Sequence, residues 1–79
     1  MKTLFVFNEV LCDENEGMAV IIADDLDECR ELFMNEMVNR EFNLEEQMFY
    51  FDRSVKEGEY QGVCVNGDET SRIVSYVCG

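Results

Sequence analysis

The chain has no proline and no histidine, and only six of its 79 residues are Lys or Arg. Each shortage closes off a class of function. Without histidine the usual general base near neutral pH is missing, and a mixed Cys/His metal site cannot be completed. Ser71 and Ser75 have no visible activating partner, and a nucleophilic cysteine needs a basic neighbour to hold its thiolate. There is no G-x-G-x-x-G and no P-loop lysine. The carboxylates are so numerous that no pair stands out as a glycosidase-like dyad. The chain reads as non-enzymatic, with no cofactor. The scarcity of cations also argues against direct nucleic-acid binding, because Lys and Arg neutralising phosphates supply most of the non-specific affinity.

Long apolar runs are missing as well. No segment approaches the ~18 apolar residues of a membrane span. The opening Met-Lys-Thr-Leu-Phe-Val-Phe gives way to Asn8-Glu9, too soon for the apolar region of a secretory signal. The expectation is a soluble protein in the cytoplasm. No Gly/Ser-rich linker or internal repeat divides residues 1–79, so they read as a single compact domain. Cys12, Cys29, Cys64 and Cys78 lie far apart and make no C-x-x-C pair. In a reducing compartment they stay thiols. Cys29, on an apolar helical stripe, and Cys64, between two valines, read as small buried hydrophobes.

What the chain does contain is acid. Eighteen Asp and Glu give a formal charge of −12, and thirteen of them fall between Glu9 and Glu46 against only Arg30 and Arg40. That stretch carries −11. A domain of this size gains solubility from a net charge of magnitude ~2–8, and more adds self-repulsion to the compact state. Six Phe, three Tyr and five Met, with many Val and Ile, rule out a disordered acidic tail.

Lys2–Val10 reads as a strand and Met18–Ala23 as a buried one, joined through Cys12–Gly17 as an antiparallel hairpin. A helix begins at Asp24 or Asp25, with Asp25 as N-cap and Glu28 three residues on, and ends near Asn39 or Arg40. Its apolar face is Leu26, Cys29, Phe33 and Met37, joined by Leu32; Asp24, Asp27, Glu28, Glu31 and Asn35 lie opposite. Met48–Phe51 reads as a third strand and Lys56–Gly58 as a turn. Tyr60–Val65 and Arg72–Val77 follow as strands, with a hairpin signal at Asn66-Gly67. The expected fold is α+β: β-β-α-β-β-β, an antiparallel sheet with one helix packed on one face.

Asp13-Glu-Asn-Glu-Gly17 resembles the start of an EF-hand loop, but its Gly stands at position 5 and position 12 is Asp24. The EF-hand requires Gly at 6 and Glu at 12, so no metal site is expected. The acidic band has two readings. Asp24, Asp27, Glu28 and Glu31 lie three or four residues apart, about 5–6 Å between neighbouring Cβ atoms, a spacing akin to the phosphates of a nucleic-acid strand. Asp13, Glu14 and Glu16 extend the row. Equally, acids in a first helical turn complement the dipole for about 0.3–1 kcal/mol each.

FVFNEVLCD and GMAVIIADDLDECRELF resemble a kind of small phage-encoded protein. In those, a strand ending V-L-x-D precedes a Gly-initiated apolar strand and an acidic helix of the type A-x-[DS]-x-E-E-A-x-E-L. Here Val10–Asp13, Gly17–Ala23 and Asp24–Leu32 take those places, with Cys29 where Ala is more usual. The arrangement is also similar to compact anti-CRISPR inhibitors, and it covers roughly the first half of the chain. It implies a phage counter-defence protein acting in the host cell. The expected function is a stoichiometric inhibitor whose acidic residues occupy a basic nucleic-acid-binding surface of a defence complex. The alternative is a phage assembly module that homodimerises through a sheet edge or the Met48–Phe51 aromatics; adaptation to high salt is a third reading.

Overall fold

A computed structural model describes residues 2–8 and 17–78. The chain runs β1 (Lys2–Asn8), β2 (Gly17–Ala23), α1 (Leu26–Asn39), α2 (Leu44–Glu57), β3 (Tyr60–Val65) and β4 (Arg72–Cys78). The strands form one sheet in the order β3-β1-β2-β4 with every neighbour antiparallel. Both helices lie between β2 and β3 in sequence and cover one face.

Side chains alternate across a strand. Phe5 and Phe7 of β1 and Ala19, Ile21 and Ala23 of β2 point to the helices and are buried with Cys29, Phe33 and Met37 of α1 and Met48 and Phe51 of α2. The centre of this core is aromatic: the Phe51 ring lies 4.9 Å from both Phe7 and Phe33. Replacing such a Phe by Ala typically costs 3–5 kcal/mol. The half-exposed Arg30–Asp52 pair across the helices is worth at most ~1 kcal/mol. Aromatic packing therefore holds the layers together.

The expected order changes in two places. Met48–Phe51 belongs to α2 rather than to a third strand, so the order is β-β-α-α-β-β with two helices. The Asn43 side chain caps α2 by accepting from the Glu46 amide at 3.1 Å. Leu44, Met48, Phe51 and Val55 then recur at helical spacing toward the core. Gly58 at φ +71° closes the helix, its amide and that of Glu59 bonding back to Val55 and Ser54. Second, β3 and β4 do not form a hairpin. The Asn66 side chain accepts from the Asp68 amide, making a local turn, but the chain then crosses the end of the sheet and β4 joins the opposite edge. β1 and β2 pair antiparallel and α1 is capped by Asp25 and Arg40, as the sequence led one to expect; Glu9, Val10 and residues 12–16 of the expected turn lie outside the described residues.

Candidate functional site

Asp25 opens α1 by accepting from the Glu28 amide at 2.8 Å, and Glu28 accepts in return from the Asp24 amide at 2.7 Å. The exchange satisfies the Glu28 amide, a helix N–H without an intrahelical partner, and ties the Asp24 amide just before the helix to its first turn. Glu28 Oε1 also accepts from the Ser71 hydroxyl at 2.6 Å. Lys2 Nζ donates to Ser71 Oγ at 2.7 Å and lies 2.9 Å from Asp24 Oδ1. These contacts clasp the start of β1, the β2–α1 junction and the end of the crossover loop. The Ser71 hydroxyl and the Asp24 amide hold the Glu28 carboxyl below its usual pKa, against the opposing carboxylate of Asp24. The hydrogen bond to Asp24 raises Lys2. Two of the expected partner-binding acids, Asp24 and Glu28, are thus committed in large part to the fold.

Asp27 and Glu31 are different. Both are exposed one turn apart on α1, and neither forms a salt bridge among the described residues. Arg30, the cation between them in sequence, is drawn to α2, where its Nε and Nη2 donate to the two Asp52 oxygens at 2.8 and 3.1 Å. Asp13, Glu14 and Glu16 lie outside the described residues.

The outer side of α2 continues this surface, and the strand reading of Met48–Phe51 concealed it. Phe49 is 62% exposed, with its ring edge-on to Tyr50 at 5.6 Å, and the Arg53 guanidinium lies 5.1 Å from the Tyr50 centroid. Grooves flank Phe49, one lined by Asn43, Glu45, Glu46 and Tyr50, the other by Asp52, Arg53, Lys56 and Glu57. Phe49 is one turn from Asp52 and Asp27 is one turn from Arg30, so aromatic and acids border the same interhelical bridge. Capping at Asn43 and the glycine stop at Gly58 were the available signals for this helix.

Cys29 is fully buried, and burial pushes its thiol up to about 12, so it is neutral and unreactive. Cys64 is exposed on β3, unlike the buried position expected of it. Among the described residues no three Cys, Asp or Glu side chains group to hold a metal ion. No helix among them is long and apolar enough to cross a membrane. No protein-family model, curated protein or solved structure matches the chain.

Proposed function

We infer that the protein is a non-enzymatic binding module whose outer helical surface engages a basic, nucleic-acid-binding surface of another protein, as a counter-defence inhibitor of the anti-CRISPR kind would. One observation carries this reading. Asp27 and Glu31 stand exposed on α1 while Arg30, the cation between them in sequence, is engaged by Asp52 on α2. Asp27 and Glu31 carry no salt bridge among the described residues and lie near an exposed aromatic, Phe49, whose own groove mixes Arg53 and Lys56 with Asp52 and Glu57. Charge of this kind steers association and makes it salt-dependent, and a central aromatic supplies the desolvated contact typical of binding hot spots.

The test is capture of partners from a bacterial lysate, followed by competition between this protein and nucleic acid for the captured protein. Asp27→Lys with Glu31→Lys should weaken capture at least tenfold while circular dichroism stays native, because neither side chain forms a salt bridge among the described residues and Asp27, in the first turn of α1, contributes only about 0.3–1 kcal/mol through the helix dipole. Glu28 is left intact, since its loss would open the clasp. Capture that is indifferent to salt and to this double reversal would remove the acidic surface from the mechanism.

A further inference from the structure

The sheet has a second face, and no helix or strand among the described residues covers it. By register its outward positions include Leu4, Val6, Met18, Val20 and Ile22 on the central strands and Val63 beside Leu4 on β3, rimmed by Lys2, Gln61, Arg72 and Ser75. An antiparallel sheet with one wet face alternates apolar and polar residues, whereas strands buried on both faces read as continuous apolar runs. β2, Gly-Met-Ala-Val-Ile-Ile-Ala, is of the second type. Ile22 is only 4% exposed yet stands outside the helix-side core, while Val63 and Met18 are 57% and 45% exposed. This is a core surface without its other half.

We propose that a second copy of this chain covers the open face, giving a four-layer helix–sheet–sheet–helix dimer. The charge distribution selects that occupant. No residue of β1, β2, β3 or β4 is acidic, although the chain carries −12. The strands therefore bring no carboxylate of their own to the face, and its two cations, Lys2 and Arg72, are already paired with Asp24 and Glu69 at its end. Packed sheets lie ~10 Å apart and each helical layer adds about as much, so the acidic layers sit roughly 30 Å from one another. That is several times the ~8 Å Debye length at physiological salt. Four strands ~4.8 Å apart and about six residues long cover roughly 400 Å² per copy, which places the dimer at the weak, reversible end of specific interfaces. The outer helical surface of each copy stays free, so this inference stands or falls independently of the proposed function.

Sedimentation velocity of the full chain from micromolar to millimolar concentration, under reductant because Cys64 is exposed, tests it. A monomer–dimer equilibrium is expected that tightens as salt rises, opposite in sign to binding of a basic partner. Val63→Lys should weaken the dimer at least tenfold with circular dichroism unchanged, and Asp27→Lys with Glu31→Lys should leave it intact or tighter. A monomer at every concentration and salt would overturn the proposal without any variant. So would a dimer that survives Val63→Lys, or one that the helical double variant abolishes.

Discussion

Glu28 shows how one side chain is claimed twice. Its position three residues after an N-cap marks it as a capping acid and as part of an acidic row, and both readings follow from local sequence. What decides between them is Ser71, 43 positions away, whose hydroxyl takes the same oxygen that caps the helix. Because its folded pKa lies below the ordinary 4.5, ionised Glu28 stabilises the fold above that value, and the contribution disappears as pH falls through the depressed folded value. Glu28→Gln imitates the protonated form. Its melting temperature should lie below that of the parent at pH 7, and the gap should close as the pH falls below the ordinary 4.5 and through the depressed folded value. A gap of constant size from pH 7 to pH 3 would mean that the charge of Glu28 contributes nothing. Asp27 and Glu31, with no such distant partner, keep the exposure their helical positions suggested.

Among the elements, α1 was legible because its caps and its apolar stripe agree. α2 was not, because Met-Phe-Tyr-Phe has strand propensity and occupies only one turn of the helix. Propensity is the weaker influence here: the burial of Met48 and Phe51 against Phe7 and Phe33 decides the conformation. Gly58, the residue that closes α2, has a backbone that tolerates substitution poorly. At φ +71° an L side chain is strained even though no atom lies within 4 Å of an added Cβ, so Gly58→Ala should cost about 1 kcal/mol in chemical denaturation. An unchanged denaturation midpoint would show that the helix ends differently in solution. The edge strands tell the same story about range. Tyr60–Val65 was visible as a strand, but its pairing with β1 rather than β4 depends on contacts more than fifty residues away in sequence.

At the scale of the whole molecule, chemistry is sorted by layer. Carboxylates occupy helices and connections, and the strands carry apolar residues with Lys2 and Arg72 at their starts. Composition alone revealed the charge and the foldable core, but it could not reveal that the two are on different sides. That separation, invisible before the topology is known, is what allows one small domain to present an acidic surface and an apolar one at once.

The placement of β1 and β2 at the centre of the sheet also governs how the chain assembles in time. The central hairpin pairs residues close in sequence and can form early, but each of its outer edges waits for a strand from the far end of the chain. Closing those long loops comes before their contacts are gained, which slows folding relative to a locally wired helical bundle. During synthesis β1 and β2 emerge first and remain bare on both edges until residues 60–78 follow. Ser71→Ala, which removes the latch on the crossover loop, should speed unfolding while leaving the refolding rate nearly unchanged in stopped-flow chevrons, since the latch closes last. A slowed refolding limb instead would place the crossover in the folding nucleus.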